Sequence, residues 1–196
     1  EIELVEAPTG RPLTPERWQE LSAVTISYGH GISTSPVHLA AGYASLVNGG
    51  TRVRPTLLRR PAPDRGARLV SERTSRAVRE MLRAVVTDGT ASFGEVAGYA
   101  VGGKTGTADK PRPDGGYYED RVVATFAAVF PADAPEYVLV VTLDEPMETS
   151  GEKPRRTAGW TAVPVAAEII RRTAPLLGLR PNVEAGGGPA VTPTSN

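Results

Sequence analysis

The run Gly102-Gly103-Lys104-Thr105-Gly106-Thr107-Ala108 sets a lysine and two threonine hydroxyls in a stretch of backbone with almost no side-chain bulk. Two chemistries use such a run. One is phosphate capture: Gly98-x-x-x-x-Gly103-Lys104-Thr105 matches the glycine-rich phosphate loop letter for letter, and Val138 to Leu143, closed by Asp144-Glu145, imitates the acidic strand end of nucleotide-binding folds. Phosphate capture needs a helix that begins at the lysine and threonine, so that free N–H groups and the positive end of the helix dipole face the anion. Here Gly106, Pro111, Pro113, Gly115 and Gly116 follow, and no helix propagates through them. The other chemistry keeps Lys104-Thr105-Gly106 on an extended strand beside a bound molecule. Metal and thiol chemistry find little support, since the chain has no cysteine and only His30 and His38 as imidazoles. No metal and no cofactor is expected. His30, between Gly29 and Gly31, reads as a turn residue at the surface, and His38 as a packed or half-exposed residue of a helix.

The elements that must position this run are marked by caps, periods and breaks. Ser35 followed by Pro36 predicts a helix start, and Val37, Ala40, Ala41, Ala44 and Val47 recur at helical spacing until Asn48-Gly49-Gly50, which predicts a buried helix. Ser71 and Glu72 open a second helix whose apolar stripe is Val78, Met81, Leu82, Val85 and Val86, with Asp88-Gly89 as its stop. Arg73, Arg76, Arg79 and Arg83 are placed on its wet face. Residues 99–107, 122–130 and 137–143 read as strands, the last two rich in β-branched and aromatic side chains. Pro131 to Glu136 is too short for a crossover helix, and Pro111 to Gly116 is strong turn chemistry, so both connections predict antiparallel pairs. A last helix begins near Thr161, carries Pro164 in its first turn, buries Val163, Ala166, Ala167 and Ile170, and ends at Pro175.

Composition sets the outer bounds. With 40% hydrophobic and 22% charged residues the chain is that of a globular domain, and its Gly 21 and Pro 18 imply many turns. Lys+Arg 22 equal Asp+Glu 22, so no overall field draws in nucleic acid or an anionic membrane. No apolar run approaches the roughly 20 residues of a bilayer span. Residues 1–15 are punctuated by Pro8, Gly10, Pro12 and Pro15 and read as irregular chain cut from something longer, while 180–196 read as a flexible tail.

Lys104-Thr105-Gly106-Thr107 on a strand resembles the lysine motif of the penicillin-binding proteins and serine β-lactamases. The likeness extends over residues 20–175. Thr25 to Ala44 through Asn48-Gly49-Gly50 is similar to the glycine-containing turn and following helix of the class B penicillin-binding proteins. Leu82 to Thr90 is similar to their next helix and its glycine-threonine exit, and Val123 to Ala127 and Tyr137 to Pro146 to their following strands. Within that class the chain most resembles the division-type transpeptidase of proteobacteria, with many of these features shared by its elongation-type paralogue. The resemblance implies an α/β (α+β) fold, an antiparallel sheet with helices on both faces, of which this chain supplies three strands and at least three helices. It also implies D,D-transpeptidation of peptidoglycan stem peptides through a serine acyl-enzyme during septal wall synthesis. Lys104 would then be the fixed charge near the nucleophile, and Thr105 and Thr107 the hydroxyls for a substrate or β-lactam carboxylate. The Thr107 N–H would be one oxyanion donor, and Gly102, Gly103 and Gly106 would make room for the substrate backbone.

The departures from that family matter as much. Its nucleophile lies in Ser-x-x-Lys at a helix start, and the one match here, Ser150-Gly-Glu-Lys153, contains Gly151 and is followed by Pro154. A loop is expected there. The family's Ser-x-Asn motif is absent, the tail's Thr194-Ser195-Asn196 being a chance likeness. Residues 1–179 are therefore expected to form the C-terminal part of a transpeptidase domain, with the upstream half of that domain as the partner carrying both missing motifs. Other division proteins are expected partners, nucleic acid is not, and the site of action would be the periplasmic face of an inner membrane, through an anchor outside this chain. A D,D-carboxypeptidase or β-lactamase, a non-catalytic binding protein of the same fold and, more remotely, a phosphate-loop protein remain the alternatives.

Overall fold

Ser35 and Ser71 cap helices as their positions predict: the Ser35 hydroxyl accepts from the His38 N–H, and the Ser71 hydroxyl from the Thr74 N–H. A computed structural model of the chain describes residues 2–3, 12–15, 17–61 and 66–182. In order it contains α1 (Glu20–Ser27), α2 (Pro36–Val47), α3 (Glu72–Thr87), a short 3-10 turn (Ser92–Gly94), β1 (Gly102–Pro111), β2 (Tyr117–Phe130), β3 (Tyr137–Asp144) and α4 (Ala162–Thr173). The strands form one antiparallel sheet in the order β1-β2-β3.

Alternation along β2 sorts the two faces of the sheet. Ala124, Phe126, Ala128 and Phe130 point to one side, where Val163, Ala166 and Ile170 of α4 close the main core with Val141 of β3. Val129 points to the other side, where it meets Val47 of α2 and Leu82 of α3, with Val78 and Val138 at the margin. Helices therefore lie on both faces, as the sequence suggests. Coverage of the second face is partial: Lys104 and Thr142 are exposed there, and Thr125 is only half-buried, its hydroxyl 3.2 Å from that of Thr142.

Several boundaries differ from the sequence reading, each for a physical reason. β1 begins at Gly102 rather than at residue 99, because the Tyr99 N–H turns back to the Val96 carbonyl at 2.9 Å. The β1–β2 ladder runs past Asp109 to pair Pro111 with Tyr117, so the hairpin turn is short and rests on Gly115 and Gly116, at φ 98 and 74. On α3, Met81 is 61% exposed and does not belong to the buried stripe, whose place is taken by Ser75, fully buried. The Ser75 hydroxyl accepts from the Gly49 N–H at 3.1 Å, which satisfies it and ties α3 to the end of α2.

Arg79 and Arg83 are not on the wet face. Arg79 donates to the Asp133 carbonyl at 2.9 Å, and Arg83 donates to the Val101 carbonyl at 2.8 Å and, through Nη2, to Glu95 at 2.7 Å. Both long side chains carry their charge to backbone oxygen. The helix α2 is less buried than its small apolar residues suggest, with only Ser45 and Val47 fully inside and Val37 exposed. The helix α1 has no counterpart in the sequence reading and buries none of its residues. The last helix ends at Thr173, and at residue 182 the Asn182 N–H donates to the Gly98 carbonyl at 2.8 Å, so the expected tail does not start at 180. Residues 183–196 lie outside the described residues, as does most of the expected irregular opening.

Candidate active site

Among the described residues the sheet order leaves β1 as an edge strand, with β2 on one side only. An edge strand presents unpaired N–H and C=O groups, and an extended peptide can add to it as a further strand. Along this edge the side chains alternate. Gly102, Lys104 and Gly106 share the partly covered face, while Gly103, Thr105 and Thr107 share the face of α4. The fold thus brings Lys104, Thr105, Gly106 and Thr107 into one open edge, and no helix begins at Lys104 as phosphate capture would require.

The glycines of this strand have different reasons. A Cβ on Gly102 would come within 3.2 Å of the α3 backbone at Leu82 and Arg83, so its smallness lets helix and strand touch. At Gly103 a Cβ would meet the Phe126 ring at 2.5 Å and the Ala127 carbonyl at 2.6 Å, a reason internal to the core. Gly106 differs, because the nearest atom to its Cβ position is the Thr125 carbonyl at 3.9 Å. Only there does the missing side chain leave open space beside the strand.

Lys104 is exposed, and its Nζ donates to the neighbouring Thr105 carbonyl at 2.8 Å rather than to a carboxylate. Further along the same strand, Lys110 contrasts with it. Lys110 is clamped by Asp144 at 2.7 Å and Glu145 at 2.8 Å, hydrogen bonds that raise its pKa and hold the Glu145 carboxyl below its usual range. One lysine braces the end of the sheet. The other is exposed and, among the described residues, has no carboxylate partner.

Both threonine hydroxyls are held from behind. Thr105 Oγ1 lies 2.8 Å from Thr90 Oγ1, and Thr107 Oγ1 accepts from the Ala158 N–H at 3.0 Å. Gly159 packs so closely that a Cβ there would be 2.6 Å from the Thr90 carbonyl. The loop after α3 and the turn before α4 therefore meet behind β1. Sequence reasoning singles out the glycine-threonine exit at Gly89-Thr90 but gives Thr90 no role, and it overlooks Ala158 and Gly159 altogether.

The hydrogen bonds of Ser150 and His38 go elsewhere than to Lys104, Thr105 or Thr107. Residues 150–153 form a bend and not a helix, the Ser150 N–H donating to Glu148 at 2.6 Å. Hydrogen bonds from Ser150, with the nearby Arg155 charge, hold the Glu148 carboxyl below the usual range. His38 is exposed in the first turn of α2, its Nδ1 2.8 Å from the Ser35 hydroxyl, so the packed or half-exposed place expected for it is not found. His30 is exposed in the turn after α1. Tyr117 is exposed at the start of β2, and the Tyr118 ring lies under the Arg121 guanidinium at 4.5 Å. Among the described residues, no group of acidic or imidazole side chains is arranged to hold a metal ion, and no helix is long and apolar enough to cross a membrane.

Residues 1–171 match the family described as "Penicillin binding protein transpeptidase domain". The chain is 39% identical over 194 residues to a Caulobacter vibrioides protein named "Probable peptidoglycan D,D-transpeptidase FtsI", covering 93% of this chain and 32% of that protein. It is 33% identical over 192 residues to the stage V sporulation protein D of Bacillus subtilis, covering 92% of this chain and 29% of that one. Among solved structures, it is similar to the transpeptidase domain of penicillin-binding protein 3 from Burkholderia pseudomallei, with TM-score 0.79 and 34% identity over 93% of this chain and 54% of that one. Penicillin-binding protein 3 of Mycobacterium tuberculosis in complex with aztreonam gives TM-score 0.72 and 30% identity, over 87% and 42% of the two chains. The chain thus spans about a third of the length of these curated relatives.

Proposed function

The chain belongs to the penicillin-binding protein transpeptidase family, in the class B branch marked by its FtsI- and PBP3-like relatives, and from that premise we propose that it supplies the substrate-binding edge of a serine D,D-transpeptidase of septal peptidoglycan synthesis. The observation that carries this reading is the edge strand β1, on which Lys104 has no carboxylate clamp and Gly106 faces open space.

In this mechanism a serine from a preceding segment of the same domain attacks the carbonyl carbon of the penultimate D-alanine. Its proton passes to the local base, the amide C–N bond breaks, and terminal D-alanine leaves with a proton on its amine. An amine on a neighbouring stem peptide then attacks the ester carbonyl carbon. The acyl C–O bond to serine breaks as the new amide C–N bond forms, and the proton lost by the amine returns to the serine oxygen. Lys104 lowers the cost of ionising the hydroxyl by placing a fixed positive charge beside it. Thr105 and Thr107 donate hydroxyl hydrogen bonds to the terminal carboxylate, or to the equivalent acid of a β-lactam. The Thr107 N–H stabilises the oxyanion, and the backbone at Gly103 and Gly106 runs beside the substrate. The proposed setting is the periplasmic side of an inner membrane, alongside other division proteins.

Transfer and hydrolysis are separated by product analysis. The complete protein, given a peptide ending in D-Ala-D-Ala and an amine acceptor, is expected to release D-alanine and form the acceptor-linked product. A hydrolysed peptide as the sole product would assign the chain to a carboxypeptidase instead. Rapid turnover of penicillin to penicilloate would assign it to a β-lactamase.

A further inference from the structure

A threonine hydroxyl has one proton to give and two lone pairs to receive with. For Thr105 and Thr107 to donate to a carboxylate, each must spend that single proton outward and be met from behind by a donor. Thr107 meets this condition already, because the Ala158 N–H donates to its oxygen at 3.0 Å. The partner of Thr105 is another hydroxyl, Thr90 Oγ1 at 2.8 Å, and either oxygen of that pair can be the donor. We propose that Thr90 is a positioning residue that donates to Thr105 and thereby turns the Thr105 O–H toward the carboxylate of the substrate. The inference rests on the function proposed above and assigns to it a residue that does not itself touch substrate.

Two features support this assignment. Thr90 is held in place from the same side as Thr107, because Gly159 packs on the Thr90 carbonyl where a Cβ would approach to 2.6 Å, one residue from the N–H that serves Thr107. One turn of chain thus sets both supports. A hydroxyl that receives a hydrogen bond is also polarised to give a stronger one, so the arrangement raises donor strength as well as fixing direction. Thr90→Val keeps the shape and removes the donor, leaving the Thr105 proton free to point elsewhere.

The test compares benzylpenicillin with its methyl ester, which lacks the free carboxylate, as acylating agents of the complete protein. Thr90→Val is expected to slow acylation by the acid about tenfold, the scale of one weakened hydrogen bond to a charged group, and to leave the ester within about twofold. Thr90→Ser restores the donor and is expected to bring the acid back to within about threefold of wild type. Because acid and ester react with the same preparation, their ratio is independent of how much of the variant is folded. An unchanged acid-to-ester ratio in Thr90→Val, whether both rates fall or neither does, overturns the inference while the function stands. A wild-type protein that benzylpenicillin does not acylate removes the function and this inference together.

Discussion

Lys104→Ala in the complete protein is expected to slow acylation by benzylpenicillin about a hundredfold or more and to leave the melting temperature nearly unchanged. The lysine is exposed and bonds only the neighbouring Thr105 carbonyl among the contacts that fix β1, so folding has little stake in it. Substitutions at such surface positions typically shift stability by about 0.5 kcal/mol or less. The chemical step depends on the charge far more heavily, since removing one preorganised electrostatic group from an acyl-transfer site costs about 3–4 kcal/mol of transition-state binding. Stopped-flow acylation and a thermal melt on the same sample measure the two sides. A variant that stays within about threefold of wild type, under about 1 kcal/mol of barrier, contradicts the role given to Lys104.

Gly103→Ala should do the reverse damage, striking the fold first. Its Cβ would stand 2.5 Å from the Phe126 ring and 2.6 Å from the Ala127 carbonyl. Neither neighbour can yield cheaply, for Phe126 is fully buried and Ala127 belongs to the β1–β2 ladder. Overpacking of this kind costs about 1–3 kcal/mol or more, and each kcal/mol lowers the melting temperature of a domain this size by about 2–4 °C. Gly106→Ala is the control, because its Cβ meets nothing nearer than 3.9 Å. It should melt like wild type and lose acylation instead, by filling the space beside the strand. Equal melting temperatures for wild type and Gly103→Ala would show that the packing assigned to β1 is wrong.

The contrast between these two glycines marks what the sequence can and cannot convey. Helices α2 and α3 are legible because their serine caps and glycine stops act over a few residues, and β2 and β3 because β-branched runs separated by a short connection leave one pairing open to them. Ser75 is not legible. A search for apolar period passes over a serine, yet this one is fully buried because the Gly49 N–H satisfies it from another element. Arg79 and Arg83 fail for the complementary reason, since charge predicts exposure and cannot foresee the Asp133 and Val101 carbonyls. Helix α1 presents Leu21 and Val24 to solvent, with Trp18 before it and Tyr28 at its C-cap exposed as well, so the chain offers no core against which its period could be recognised.

The site divides in the same way. Lys104, Thr105, Gly106 and Thr107 are contiguous, and a strand carries them together by its local conformation alone. Their supports are far away in sequence: Thr90 is 15 residues from Thr105, and Ala158 is 51 residues from Thr107. Only the folded sheet, packed between helices, brings these partners behind the two hydroxyls. The loop expected at Ser150-Gly-Glu-Lys153 is legible, because Gly151 and Pro154 oppose a helix there, and the structure has a bend.

If this chain supplies the proposed binding edge and a serine outside residues 1–196 supplies the nucleophile, a fluorescent penicillin will form its adduct outside this chain. That is read most directly by mapping the adduct on the 196-residue chain alone and on the same chain co-expressed with the preceding segment of the domain. Among the described residues β3, a run of Val, Leu and Thr, pairs only with β2 and leaves its other edge unpaired, so the chain alone should be poorly soluble and unlabelled. Co-expression should restore solubility and labelling, with the adduct on a serine outside residues 1–196. A labelled, cooperatively melting chain with its adduct on Ser150 would contradict the account.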